Sequence, residues 1–244
     1  MRNIKLLIEY DGTYYAGWQK QRNQATIQEA VNTAIEKVVR EKIFLYGSGR
    51  TDAGVHAKCQ VANFKTTSQI LSSKFPSAIN TYLPKDIVIN GAEEVTDDFH
   101  SRYSAKWKVY RYTIFNSRIR TALNRNFCYS CRFRLDHNIM KEGANILTGV
   151  HDFASFKTGD LKEKSSVREL KRLEIIREEK YIYFTLEANG FLRYMVRRIV
   201  GVLLSLGRGK ISINELKEIL EAKNPKLDGQ TVPANGLCLL KVKY

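Results

Sequence analysis

The chain has 244 residues, of which 43% are hydrophobic, so it can bury an ordinary core in one large domain or two small ones. Its 40 Lys and Arg residues against 25 Asp and Glu give a formal net charge of +15, which favours a polyanionic partner such as a nucleic acid or a lipid surface. The longest apolar run of the C-terminal half, IVGVLLSLG, is far shorter than the roughly 20 residues of a membrane-spanning helix. The N-terminal MRNIKLLIEYDG carries charges where a signal peptide would be apolar, so we expect a cytoplasmic protein.

The first half predicts the order strand, helix, strand, strand, helix, strand. These segments are NIKLLIEYDG, TIQEAVNTAIEKVVRE, KIFLYGS, CQVANFKT, SQILSSKFPSAINTYL with a break at Pro76, and DIVINGAEEV. Thr26 and Glu29 have the spacing of a capping box at the start of the first helix. The order is that of ferredoxin-like RNA-recognition modules.

The second half, from residue 105, repeats a sheet with helices on one side. Its segments are the strand KWKVYRYTIFN, the helix HNIMKEGANILTG, the hairpin LKRLEIIREEKYIYFTLEANG, the long helix FLRYMVRRIVGVLLSLGRG ended by Gly207, and the helix ISINELKEILEA with Ser212 and Glu215 at capping-box spacing. No linker separates residues 1–104 from 105–244. We therefore expect an α+β fold of two ferredoxin-like halves sharing a continuous, mostly antiparallel sheet, with helices on one face and a cleft at the junction.

The pair CYSC, with Cys128 and Cys131 upstream of His137, raises the possibility of a zinc site. Structural zinc sites commonly combine two such knuckles, and the surrounding FCYSCRFRL alternates like a strand. Reduced core or surface thiols are the favoured interpretation, so no metal or other cofactor is expected.

The stretch YGSGRTDAGVHA surrounds one acid, Asp52, with small residues that permit unusual backbone angles and the close approach of a bulky ligand. It lacks the Gly-Lys-Ser/Thr ending of a phosphate-binding P-loop. Arg50 lies two residues before Asp52, and on an extended backbone the two side chains point the same way. A neighbouring arginine lowers a carboxyl pKa and keeps it ionised, as a nucleophile requires. Taken locally, a tight turn with a surface ion pair is the alternative.

Two further basic patterns point to RNA. Arg193 and Arg197 have the spacing of one helical face, which suits either an anion or solvent. The strand KWKVYRYTIF places Lys108 and Tyr110 on one face, where aromatic and cationic side chains together can stack on unpaired bases, although core packing gives the same pattern. Other residues fit RNA binding collectively: His100, Arg102, Tyr14, Tyr15, Trp18 and Gln19. His151 is a candidate acid or base, with a structural position favoured.

Six segments in order resemble the tRNA pseudouridine synthase A family. They are EYDGTYYAGWQ, GSGRTDAGVHA, FHSRYSAKWKVYRYTIFN, GVHDFASF, NGFLRYMVRRIVG and VPANGLCL. The resemblance implies a homodimer of two fused RNA-recognition-like halves that isomerises uridines 38, 39 and 40 in the anticodon stem-loop of tRNA.

The resemblance also implies individual roles. Asp52 would be the catalytic aspartate, Tyr110 would pack on the target base, Arg50 would hold the place of the flipped nucleotide, and Arg197 would pair with Asp52. Attack on C1′, attack on C6 and abstraction of a ribose proton all remain open for Asp52. The rival hypotheses are a non-catalytic RNA-binding module and a nucleoside hydrolase that acts on a flipped base.

Overall fold

The computed structural model describes residues 1–158, 165–224 and 231–244, and it divides into two compact units. Unit 1 consists of Met1–Lys106 together with Cys238–Tyr244, and unit 2 consists of Trp107–Leu237. The last strand of the chain therefore belongs to the unit that the N-terminal residues form.

The described residues contain ten strands and five α-helices. In chain order they are β1 (Arg2–Tyr10), α1 (Ile27–Val39), β2 (Tyr46–Gly47), β3 (His56–Thr66), α2 (Phe75–Asn80), β4 (Ile87–Val95), β5 (Trp107–Asn116), β6 (Tyr129–Cys131), α3 (His137–Leu147), β7 (Gly149–Asp152), β8 (Val167–Glu178), β9 (Tyr181–Ala188), α4 (Met195–Gly207), α5 (Ile213–Glu221) and β10 (Leu237–Lys243).

Unit 1 has the ferredoxin-like strand order β4-β1-β3-β2, with every neighbouring pair antiparallel. The core-facing residues of β1 alternate along the strand, and Ile4, Leu6 and Ile8 are fully buried. β10 adds to the same sheet as a parallel partner of β3, with Cys238 opposite His56. The predicted order of the first half is confirmed.

Two details of unit 1 differ from the sequence prediction. Thr26 makes no side-chain cap, because the first N–H groups of α1, those of Ile27 and Gln28, donate to the carbonyls of Gly17 and Trp18 at 3.1 and 2.9 Å. Pro76 does not break a helix but lies in the first turn of α2, where its missing N–H costs no hydrogen bond.

The sheet of unit 2 has the order β5-β9-β8-β7, antiparallel throughout, and β6 pairs in parallel with β5. Helix α3 packs against β8 and α4, which buries Met140, Ala144 and Leu147. Helix α5 begins with the predicted capping box of Ser212 and Glu215, and α4 ends at Gly207 as predicted.

The α+β class with mostly antiparallel strand pairing is confirmed. The segment KIFLYGS was too generous a strand prediction, since only Tyr46–Gly47 pairs with β3. The long C-terminal helix begins at Met195, four residues later than predicted, because Tyr194 adopts a left-handed backbone with φ of 63°. None of the helices in the described ranges is both long and apolar enough to cross a membrane.

Candidate active site

Asp52 lies at the tip of the loop that joins β2 to β3, and its side chain is half-buried. The N–H of Val55 donates to the Asp52 carbonyl at 3.2 Å, which closes a tight turn over Ala53 and Gly54. Asp52 is the first residue of this turn, so its carboxylate is attached to a backbone that a hydrogen bond holds in place. We call residues 48–55 the Asp52 loop.

A second segment, residues 10–18, holds the Asp52 loop from one side. The N–H of Trp18 donates to the carbonyl of Thr51 at 3.0 Å, and the N–H of Gly54 donates to the carbonyl of Tyr15 at 3.3 Å. These two bonds bracket Asp52 on both sides in the chain. We call residues 10–18 the clamp segment.

Glycine allows the clamp segment to approach so closely. Gly17 has φ of +95°, and a Cβ at this position would lie 2.5 Å from the carbonyl oxygen of Thr51. The clamp is itself anchored by α1, whose first N–H groups bond to Gly17 and Trp18. The position of Asp52 therefore depends on residues that are distant from it in sequence.

Buried polar side chains fix the residues that precede Asp52. The hydroxyls of Tyr10 and Thr51 are 2.8 Å apart, and both residues are buried. Burial raises the pKa of Tyr10 well above its ordinary value, so its hydroxyl keeps its proton. Gln60 donates to the carbonyl of Gly49 at 2.9 Å and accepts from the hydroxyl of Ser48 at 2.6 Å. Side chains from β1 and β3 thereby support the loop on both sides.

The interpretation of Tyr14, Tyr15 and Trp18 in the clamp segment as RNA-binding residues is wrong for Trp18. Trp18 is 1% exposed and packs against Gly47, and the hydroxyl of Tyr15 donates to Asp86 at 2.7 Å. Only Tyr14 among these aromatic residues is strongly exposed. The signal for a supporting function was the pairing of glycines with aromatics in EYDGTYYAGWQ, which is typical of close backbone packing.

Arg50 is exposed on the Asp52 loop, next to the buried Thr51. Lys108 and Tyr110 lie on β5, and Tyr110 is buried with its ring 5.1 Å from that of Phe191 in an edge-to-face contact. The broader idea that this face of β5 is an open stacking surface was wrong. Tyr112 is fully buried, and its hydroxyl donates to the carbonyl of Pro233 at 2.7 Å.

Arg193 and Arg197 do not share a helical face, since Arg193 precedes α4. The turn before the helix nevertheless brings them together, because both guanidinium groups lie over the ring of Tyr194, at 5.2 and 4.8 Å from its centroid. Arg197 also donates from Nε to the carbonyl of Val232 at 2.8 Å. The result is a concentrated positive charge at the N-terminal end of α4.

His151 has a structural position. Its Nε2 lies 3.1 Å from the carbonyl of Thr148, and its ring packs edge-on against Phe153. Cys128 and Cys131 are buried free thiols, and burial raises the pKa of both. Within the part of the chain that the structure describes, no group of three or more His, Cys, Asp and Glu side chains is placed to hold a metal ion.

Comparison with known proteins agrees with this geometry. A family model described as tRNA pseudouridine synthase matches residues 6–104 and 144–244, which include the Asp52 loop, the clamp segment and α4. The unmatched interval contains Lys108 and Tyr110, so their assignment depends on the sequence motif of β5.

Full-length relatives extend the similarity to the whole chain. The chain is 47% identical to the tRNA pseudouridine synthase A of Acetivibrio thermocellus, 49% identical to the tRNA pseudouridine synthase A 2 of Clostridium perfringens, and 46% identical to the tRNA pseudouridine synthase A of Thermoanaerobacter pseudethanolicus. Each alignment spans 244 residues and covers 100% of both sequences.

Proposed function

The chain belongs to the tRNA pseudouridine synthase family, and from that premise we propose that it converts uridines 38, 39 and 40 of the tRNA anticodon stem-loop into pseudouridine. Membership of the family makes the protein an isomerase that acts on tRNA. The positions in the anticodon stem-loop and the assignment of Asp52 as the catalytic group are our proposal.

The observation that carries the proposal is the way Asp52 is presented. Hydrogen bonds at Thr51 and Gly54 fix the backbone on either side of it, while its own side chain is half-buried at the tip of a turn. A surface turn does not need support from two buried hydroxyls and a clamp of glycines. A catalytic group does, because its reactivity depends on its position relative to the substrate.

The reaction itself is compatible with a single carboxylate. The bond from N1 of uracil to C1′ of ribose breaks, the base turns, and a bond from C5 to C1′ forms; C5 loses a proton and N1 gains one. Glycoside hydrolysis generally uses two carboxyl groups because one must activate water. The isomerisation has no water to activate, so one acid in a closed site suffices without a metal ion. Attack on C1′, attack on C6 and abstraction of a ribose proton are all consistent with this placement of Asp52.

Binding of the target requires that its uridine leave the helical stack, which costs a few kcal/mol. We assign the compensating contacts to basic and aromatic residues, of which the family resemblance singles out Tyr110, Arg50 and Arg197, while the charge patterns of β5 and of the segment before α4 add Lys108 and Arg193. Tyr110 packs on the target base, Arg50 holds the place of the flipped nucleotide, and Arg197 pairs with Asp52. Arg193 and Lys108 bind phosphates.

The proposal extends to the assembly and its location. The family resemblance implies a homodimer, and a tRNA substrate is consistent with action in the cytoplasm. Sedimentation of the purified chain at micromolar concentration tests the dimer directly, since monomer and dimer differ twofold in mass.

The experiment that tests the proposed function uses unmodified tRNA transcripts with radiolabelled uridine. After incubation with the protein, the RNA is digested and the nucleotides are separated. Pseudouridine at positions 38 to 40 is the expected product. Free uracil would indicate a hydrolase, and unchanged uridine in tRNA that binds the protein would indicate a non-catalytic RNA-binding module; either result contradicts the proposal.

A further inference from the structure

Three rings lie in series on unit 1, two exposed tyrosines with the half-buried His100 between them, on either side of the chain segment that enters the Asp52 loop. The ring of Tyr46 is centred 4.9 Å from that of His100, which is centred 4.4 Å from that of Tyr103. Tyr46 is 46% exposed and Tyr103 is 76% exposed. Aromatic side chains that contact one another are usually buried, so the contact of Tyr46, His100 and Tyr103 at the surface is unusual.

The backbone that carries these rings is held rigidly. Ser101, between His100 and Arg102, is fully buried; its hydroxyl donates to the carbonyl of Tyr46 at 2.6 Å and its N–H donates to Asn63 at 2.9 Å. The hydroxyl of Tyr244 in turn donates to the Ser101 carbonyl at 2.9 Å. The exposed rings are thus presented by an anchored turn, which lowers the entropy lost when a ligand stacks on them.

A cation completes the surface. Arg102 is exposed, and its guanidinium carbon lies 5.7 Å from the centroid of the Tyr103 ring. The backbone N–H of Arg102 donates to Nδ1 of His100 at 3.1 Å, which fixes the orientation of the imidazole. Two acids, Asp97 and Asp98, precede His100 in the chain, and Asp97 pairs with Lys65, whose ammonium is 2.5 Å away. The guanidinium of Arg102 beside the Tyr103 ring is the group that a phosphate would bind.

We propose that Tyr46, His100 and Tyr103, with Arg102, form a stacking site for an unpaired base of the bound RNA, with Arg102 on the adjoining phosphate. Aromatic rings flanked by an arginine bind single-stranded nucleic acid because each base offers a π-face and each nucleotide carries a charge. Tyrosine and arginine are also enriched at protein–protein interfaces, so the charge of the whole chain is what distinguishes the two kinds of partner. The net charge of +15 also favours RNA.

This inference rests on the proposed function and adds a second contact to it. Tyr46 precedes Asp52 by only six residues and begins the strand that leads into the Asp52 loop. The stacked nucleotide is a different one from the target uridine on which Asp52 acts. The contribution of the stacking site is to binding, so its loss raises KM and leaves kcat nearly unchanged.

The test measures the affinity of an unmodified tRNA transcript by filter binding. Tyr103→Leu removes the exposed ring and should raise Kd roughly 5- to 100-fold, the effect of losing one stacked base, whereas Tyr103→Phe should stay within about twofold of the wild type. Arg102→Gln should lower the slope of log Kd against log salt by about one phosphate contact, and Tyr103→Leu should leave that slope unchanged.

Tyr82→Leu is the matched control. Tyr82 is also a half-exposed tyrosine of unit 1 with a cation over its ring, Lys37 at 5.4 Å, but it lies at the end of α2. Its loss should leave Kd unchanged, and thermal melting of all variants should match the wild type because the rings are exposed.

A scan of single abasic nucleotides through the anticodon loop then identifies the stacked base. RNA that lacks the stacked base should have the same Kd for the wild type as intact RNA has for Tyr103→Leu. The abasic RNA should bind Tyr103→Leu with no further increase in Kd. An unchanged Kd for Tyr103→Leu overturns the proposal, and dissociation of an oligomer without loss of RNA affinity would assign the rings to a second copy of the chain. If tRNA affinity falls but no pseudouridine forms at positions 38 to 40, the proposed function fails while the stacking site stands.

Discussion

Among single residues, Asp52 carries the proposed chemistry, and its amide analogue separates chemistry from binding. Asp52→Asn keeps the shape of the side chain, and the backbone bonds at Thr51 and Gly54 that fix the loop do not involve the carboxylate. We expect tRNA affinity within a few-fold of the wild type and conversion below about one-thousandth, given the size of nucleophilic catalytic contributions. Tritium release from 5-tritiated uridine in tRNA measures the conversion.

Asp97→Asn is the control for Asp52→Asn, since Asp97 is an exposed aspartate whose partner is Lys65. It should convert tRNA at the wild-type rate. Residual turnover of Asp52→Asn well above one part in a thousand would contradict the assignment of Asp52 as the nucleophile or base.

Tyr110 poses a different question, because its ring is buried against Phe191 as well as proposed to pack on the target base. Tyr110→Phe keeps the ring and its edge-to-face contact with Phe191, so base packing should be retained. Tyr110→Leu removes the ring and leaves a smaller cavity than Tyr110→Ala would. It should lower kcat/KM by the factor that corresponds to about 1–3 kcal/mol of lost stacking. Steady-state kinetics at a temperature well below each melting point measures this difference.

The Tyr110 prediction fails if the leucine variant, still folded, converts tRNA as fast as the phenylalanine variant. In that case Tyr110 is a core residue only. The comparison matters because β5 lies partly in the core, with Tyr112 fully buried two residues further on.

At the scale of elements, the clamp segment makes the Asp52 loop dependent on Gly17. Gly17→Ala would add left-handed backbone strain and place a Cβ 2.5 Å from the Thr51 carbonyl oxygen, so the clamp must shift. Gly209→Ala is the matched control: its φ is +66°, but no atom lies within 4 Å of the added Cβ. We expect Gly209→Ala to cost about 1 kcal/mol of stability and Gly17→Ala at least twice that.

The readouts for this pair are the melting temperature and the activity. One kcal/mol corresponds to roughly 2–4 °C for a chain of this size. Gly17→Ala should also lower kcat measured well below its melting point, whereas Gly209→Ala should not. Equal effects of the two substitutions would show that the clamp does not position Asp52.

The elements also show what sequence could predict. The apolar segments of the sequence identified β1 and the hairpin of β8 and β9, and the motif around Asp52 identified the loop, because these signals lie in neighbouring residues. The clamp could not be predicted, since its bonds join Trp18 to Thr51 and Tyr15 to Gly54, residues more than thirty positions apart. The missing Thr26 cap reflects bonds of the first α1 N–H groups to Gly17 and Trp18 outside the helix, and the late start of α4 reflects the left-handed backbone of Tyr194. The pairing of Asp52 with Arg197 stays a prediction.

At the scale of the whole molecule, the net charge of +15 predicts how binding responds to salt. Each phosphate that a lysine or arginine neutralises releases counterions, and log affinity falls with log salt by about 0.7 to 0.9 per contact. Two or more such contacts make tRNA binding at least about sevenfold weaker at 200 mM than at 50 mM KCl. The tightly placed pair of Arg193 and Arg197 over Tyr194 is one source of these contacts.

Filter binding of Asp52→Asn to an unmodified tRNA across that salt range measures the slope without turnover. Arg193→Gln should reduce the slope by about one contact, because its guanidinium lies over the ring of Tyr194 at the N-terminal end of α4. Arg172→Gln is the control, since Arg172 already faces Glu174 at 3.7 Å and should contribute little. A slope near zero for the wild-type surface would mean that stacking and base contacts, not phosphate contacts, supply the energy that draws the uridine out of the helix.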